Sequence, residues 1–147
     1  MVDNIIVQLY NNKDAMKLII DTSSIIAVIA NEAQKSSLVS LASGADLIAP
    51  SSIHWEVGNA FSAMLRRGRI TLEQAQAALR AYENIPIQFY EVDLKSAIIL
   101  CHAYNLYAYD AYVLECAKKL RAPLLTLDTS LAAIARKAGV TVLETPL

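Results

Sequence analysis

Sulfur ligands, histidine and surplus positive charge are all scarce in this chain. Its only cysteines among 147 residues, Cys101 and Cys116, lie in apolar, helix-like stretches without metal-ligand spacing. That excludes a zinc centre built on cysteine and fits buried thiols in a reducing compartment. Its only histidines, His54 and His102, have no serine or carboxylate at triad spacing beside them, so both are read as structural. Lys and Arg number 13 against 14 Asp and Glu, a formal net charge of −1. A global basic field is therefore excluded, and any nucleic acid has to be held locally or through a bound cation.

Long hydrophobic runs are missing too: none approaches the roughly 20 residues of a membrane span. The opening "MVDNIIVQLYNNKDA" lacks a basic start, a long apolar core and a small-residue cleavage site, so it does not read as a secretion signal. The expectation is a soluble, cytoplasmic protein with no membrane partner. Internal repeats, low-complexity tracts and linkers are also absent, which leaves one domain as the default.

What the chain has in abundance is apolar sequence, 55% hydrophobic against 18% charged, with a mean hydropathy of +0.36. This exceeds the usual soluble domain. A well-filled core with exposed alanines would account for it, and so would an apolar surface that meets a partner. The length suits a single core. Met16 stands just before the first strand-like run and is a plausible alternative start. The chain thus divides into an extension of unassigned role, residues 1–15, and a single domain, residues 16–147.

Lys17 to Ile20 is a short apolar run of strand type stopped by Asp21, and "SSIIAVIANEAQKSSLVSLA" then carries apolar residues at helical spacing up to Gly44. "ADLIAP" is a second strand, stopped by Pro50, and Ser51 or Ser52 is placed to cap a helix running to Gly68. Thr71 and Gln74 have capping-box spacing ahead of an alanine-rich helix. The two helices form a hairpin with Arg66, Arg67 and Arg69 at its tip, either solvated surface charge or a phosphate contact. "PIQFYEV" is a third strand, Asp93 caps the helix "LKSAIILCHAYNL", and Asp110 opens or lies early in "AYVLECAKKLR". After Ala122-Pro123 come the short strand "LLTL", ending at Asp128, the helix "SLAAIARKAG" and a last strand "VTVLET". Strands alternating with helices predict an α/β fold, a three-layer α/β/α arrangement around a short, mainly parallel central sheet with right-handed crossovers.

In such sheets ligands gather beyond the carboxyl ends of the strands. Asp21 and Asp128 occupy that edge, and Asp110 and Glu56, in early helical turns, reach the same side. Singly, each acid is also accounted for as a helix cap or dipole partner. Jointly, crowded carboxylates repel one another unless positive charge lies among them. Oxygen donors without a cysteine or histidine cluster favour Mg²⁺ or Mn²⁺, and such a metal suits phosphodiester hydrolysis by polarising a phosphoryl oxygen and activating water. Other readings compete. A phosphatase of the haloacid-dehalogenase type wants a second Asp where Ser23 stands, and a phospho-receiver wants its Asp after a central strand, where "LIAP" ends in proline. A non-catalytic module that only sequesters RNA or a partner protein is the third.

"LIIDTSSII", "EVGNA" at Glu56–Ala60, "YDAYVLECA" at Tyr109–Ala117 and "LLTLDTSLAAIA" at Leu124–Ala135, in this order and spacing, resemble the PIN (PilT N-terminus) domain family. Within it the closer likeness is to VapC-like toxin ribonucleases of type II toxin–antitoxin pairs, from about Met16 to the C-terminus. The resemblance implies a PIN-like nuclease domain, an Mg²⁺- or Mn²⁺-dependent endoribonuclease. Its catalytic and metal-holding acids would be Asp21, Glu56, Asp110 and Asp128, with the Ser23 hydroxyl in support. Asn59 matches a frequent asparagine of the pattern, and at i+3 it shares a helix face with Glu56, which it is placed to orient. Ser23 reads equally as a helix N-cap. Thr22 is placed outside the site, and Thr129 and Ser130 are read as cap residues. The basic residue common after the fourth acid is missing, which shifts expected RNA contacts to Lys118, Lys119, Arg121 or the tip arginines Arg66, Arg67 and Arg69. Implied partners are an RNA substrate, a small antitoxin and a second copy in a homodimer. Trp55 and the tyrosines Tyr104, Tyr107, Tyr109 and Tyr112 serve either base stacking or a core or dimer surface.

Overall fold

The computed structural model describes residues 15–145, so the proposed extension lies outside the described residues except for its last position. Five strands, β1 (Lys17–Ile20), β2 (Asp46–Pro50), β3 (Ile87–Tyr90), β4 (Leu124–Leu125) and β5 (Val142–Leu143), form one sheet in the order β3-β2-β1-β4-β5. Every pairing is parallel. The described helices are α1 (Thr22–Ile29), α2 (Lys35–Ala42), α3 (Ile53–Arg66), α4 (Leu72–Glu83), α5 (Leu94–Tyr104), α6 (Ala108–Leu120) and α7 (Thr129–Lys137).

The period-two alternation of β1 sorts these helices into two outer layers. Leu18 and Ile20 point to one face, where Ile25 of α1, Leu38 of α2, Val57 and Phe61 of α3 and Tyr82 of α4 cover them. Ile19 points to the other, against Ala97 and Leu100 of α5, Leu114 of α6 and Leu131 and Ala135 of α7. A sheet buried on both faces needs apolar residues at consecutive positions, which is why β1 reads as a continuous run. The arrangement is the expected three-layer α/β/α fold.

Several boundaries differ from expectation, each for a local reason. The single helix expected up to Gly44 is two, α1 and α2, because Asn31 takes a left-handed conformation (φ 61°) and ends the first. Both helices cover the same sheet face, so the apolar spacing runs on across the break. The helix carrying Asp110 starts earlier than its apolar pattern, at Ala108, which puts Asp110 in its first turn. β4 stops at Leu125, since β1, its partner, ends at Ile20 and Thr126 has no strand beside it. The capping box before α4 forms both ways, Gln74 N–H donating to Thr71 Oγ1 at 3.1 Å and Thr71 N–H to Gln74 Oε1 at 2.9 Å.

Strand order reverses direction between β1 and β4. Chains leave these neighbours toward opposite sides of the sheet, which opens a crevice at their carboxyl ends. Asp21 follows β1 there, and Thr126 and Asp128 follow β4.

Candidate functional site

Asp21 is the N-cap of α1 and is only 5% exposed. Its Oδ1 accepts the Ser24 N–H at 3.0 Å, and Ser23 Oγ lies 2.8 and 2.9 Å from its two oxygens. Thr126 Oγ1 donates to Oδ2 from the end of β4. Two further bonds join the start of α1 to that end: Leu127 N–H donates to Ser23 Oγ at 3.0 Å, and Ser24 Oγ donates to the Leu125 carbonyl at 2.9 Å. Asp21, not Ser23, is therefore the N-cap of α1: Ser23 lies inside the helix, and its hydroxyl holds the Asp21 carboxylate instead of capping. Burial drives the Asp21 pKa above the ordinary carboxylate value, and bonds from Thr126, Ser24 and Ser23 offset part of that rise.

Glu56 sits in the first turn of α3, half-buried. Thr22 Oγ1 donates to its Oε1 at 3.1 Å and Ser52 Oγ to its Oε2 at 3.2 Å. Burial again raises its pKa most, and the negative charges of Asp21 and Asp110 add to the rise. Asp110, half-buried in the first turn of α6, is shifted up by burial first, then by Asp128 and Asp21. Asp128 caps α7, its Oδ1 accepting the Leu131 N–H at 3.0 Å, and is exposed.

These mutual influences mean that acids from four separate segments share one electrostatic neighbourhood. No cation neutralises it: the ion pair found among the described residues, Arg136 with Glu144, involves none of them. Nor do three Cys, His, Asp or Glu side chains among the described residues close on a common point as a ready-made metal cluster. In donor chemistry the group fits a hard divalent cation. All its donors are oxygens, Asp21 and Glu56 are steadied by hydroxyl and amide groups rather than by basic residues, and Asp110 accepts no hydrogen bond among the described residues.

Three hydroxyls belong here that the sequence reading left out. Thr22, expected outside the site, holds Glu56. Ser52 occupies the N-cap position of α3 but makes no capping bond and turns to Glu56 instead. Thr126 bridges two acids, donating to Asp21 and accepting the Asp128 N–H at 3.0 Å. The available signal for it was its place as the first residue beyond β4, two before an acid.

A cavity of about 550 Å³ opens over this edge, lined by Thr22, Trp55, Glu56, Asn59, Ala60 and Tyr109. Asn59 therefore faces the site, while the hydrogen bonds that fix Glu56 come from Thr22 and Ser52. Arg66, Arg67 and Arg69 are exposed at the α3–α4 tip and outside that lining. Lys118 Nζ is tied to the Ala138 carbonyl at 2.8 Å. His54 Nδ1 lies 2.8 Å from the Tyr82 hydroxyl.

A family model for the PIN domain matches residues 18–137. No protein with curated annotation matches the chain in sequence. Among solved structures, the chain is similar in fold to PAE2754 from Pyrobaculum aerophilum, with a TM-score of 0.67 at 22% identity over 89% of this chain and 93% of that one. It is also similar to VapBC2 from Rickettsia felis, bound to a DNA fragment from its promoter, with a TM-score of 0.61 at 14% identity, covering 87% and 98%. A third is Mycobacterium tuberculosis VapC20, described as a sarcin-ricin loop cleaving toxin, with a TM-score of 0.58 at 14% identity, covering 80% and 94%.

Proposed function

The chain belongs to the PIN domain family, and on that premise we propose that it is a metal-dependent endoribonuclease acting as the toxin of a toxin–antitoxin pair. The observation that carries this reading is the set of uncompensated acids, Asp21, Glu56, Asp110 and Asp128, sharing one field at the carboxyl ends of β1 and β4. Desolvating like charges without a counterion is costly, and none of the four acids makes an ion pair with a basic side chain among the described residues.

In this reading those four acids would hold Mg²⁺ or Mn²⁺, which when bound would supply Lewis-acid polarisation of the phosphate and an activated water. Asp21 and Glu56 enter the site already oriented, by Ser23, Thr126 and Ser24 on one side and by Thr22 and Ser52 on the other. Carboxylates locked this way spend little conformational entropy on ligation. Their raised proton affinities favour competition between protons and a metal for these carboxylates, so activity is expected to fall in acid.

RNA is the proposed substrate, supported by a structural relative, VapC20, that is described as a sarcin-ricin loop cleaving toxin. An antitoxin is proposed because a VapBC pair is another relative. An apolar cavity of about 360 Å³ beside α1 and α2, lined in part by Ile25, Val28, Leu38, Val39 and Pro86, is a suitable seat for such a partner. Leu94, Ile98 and Ile99, exposed on α5, offer a surface for a second copy.

The test is to incubate the purified chain with total RNA in Mg²⁺, in Mn²⁺ and in EDTA, beside Asp110→Asn, and to sequence the new 5′ ends. Metal-dependent cuts at few positions, absent in the variant, are expected. Equal cutting by the variant would remove the acids from the chemistry.

A further inference from the structure

Two large aromatic side chains stand exposed at the same cavity as Glu56. Trp55 is 72% exposed and Tyr109 51% exposed, and both line the 550 Å³ opening together with Thr22, Asn59 and Ala60. Each is the immediate sequence neighbour of a site acid, Trp55 of Glu56 on α3 and Tyr109 of Asp110 on α6. Unlike the other exposed aromatics, Tyr107 and Phe89, these two line one cavity with Glu56, where a planar ligand would cover both.

Both rings are braced from behind. Trp55 meets the edge of the His54 ring at 5.9 Å and 86°. His54 is itself held by the hydroxyl of buried Tyr82 at 2.8 Å and by Phe89, edge-on at 5.5 Å. Tyr109 packs against Tyr112 at 5.9 Å and 82°.

We infer that Trp55 and Tyr109 form a stacking cleft for one unpaired nucleobase of the substrate beside Glu56, with Asn59 placed to hydrogen-bond its edge. The inference rests on the nuclease reading above and deepens it. The cavity's size lies within the roughly 300–1,000 Å³ range of sites that bury a small ligand. Its lining holds no lysine or arginine, so the side chains there that can hold a nucleotide in the absence of metal are the two rings and the Asn59 amide. A base inside a duplex is already stacked and cannot enter, whereas an unpaired base presents both faces.

Trp55 is the chain's only tryptophan, so its emission reports the cleft directly. The full chain in EDTA, where no metal-dependent cleavage occurs, is titrated with a single-stranded RNA hexamer and with a blunt duplex of the same length. Saturable quenching by the single strand and none by the duplex is expected. Tyr109→Ala should weaken the single-strand Kd about tenfold, the loss of one stacked ring, while Tyr109→Phe keeps it. In a metal-supplemented cleavage assay Trp55→Ala should raise KM with kcat little changed, and Trp55→Phe should restore it. Equal quenching by duplex, no quenching at all, or an unchanged Kd in Tyr109→Ala overturns the inference. Trp55→Ala cutting with the wild-type KM also overturns it and assigns the aromatics to a protein contact. Cleavage without quenching removes the cleft and leaves the nuclease; quenching without cleavage in any metal does the reverse.

Discussion

The Thr126 hydroxyl donates to Asp21 from across the gap between β4 and β1, and the same oxygen accepts the backbone N–H of Asp128. One side chain thereby couples the carboxyl ends of the two central strands and fixes the spacing of two acids.

Removing that hydroxyl leaves the buried Asp21 carboxylate one donor short and the Asp128 N–H unpaired. Thr126→Val should therefore cost about 1–3 kcal/mol of stability by urea unfolding, and should lower RNA cleavage as well. Thr126→Ser keeps the oxygen and should lose less than half as much. An unchanged Thr126→Val beside a destabilised Thr126→Ser would mean that the methyl group, not the bond, matters.

Asp110 behaves differently because no hydrogen bond depends on it among the described residues, while Asp128 and Asp21 repel it. Asp110→Asn should keep or slightly raise Tm without metal. Wild type should gain Tm with increasing Mn²⁺ or Mg²⁺, as a folded-state ligand requires, and the variant should not. A thermal melt series over metal concentration decides it.

Away from this edge, Glu115 of α6 is 3% exposed, and neither carboxyl oxygen has a hydrogen-bond partner among the described residues. Burial, and then the charge of Asp93, raise its pKa. The folded state therefore holds this proton more tightly than the unfolded chain does. Its stabilising effect is complete below the ordinary glutamate pKa and is lost as pH rises through the raised value. Glu115→Gln should accordingly be more stable than wild type at neutral pH, by about 1 kcal/mol, and the advantage should vanish in acid. Tm measured from about pH 3 to about pH 8, a range that starts below the ordinary glutamate pKa of about 4.3, would show the two curves converging at the low end.

Arg121 ends α6 in the left-handed region, φ 51° and ψ 46°, where a Cβ is strained. Arg121→Gly should stabilise the fold by about 1 kcal/mol, read from the urea midpoint. It should also leave the metal response intact, since Arg121 is not in the lining of the cavity at Glu56. A loss of RNA affinity in this variant would instead assign Arg121 to phosphate binding.

The sequence by itself determined the α/β class, the sheet's two-sided burial and the positions of the acids relative to their strands. These depend on local spacing: a short apolar run such as Lys17–Ile20, an acid at its end, then helix periodicity. Helix ends were less legible, because the break at Asn31 lies inside a continuous apolar pattern that two helices on one sheet face share. Only the tertiary structure decided which hydroxyls serve which acid. Thr22 meets Glu56 across 34 positions, and Thr126 meets Asp21 across 105. Such pairs leave no mark in local spacing, since strand order, not sequence distance, brings β1 beside β4 and sets what their ends can reach.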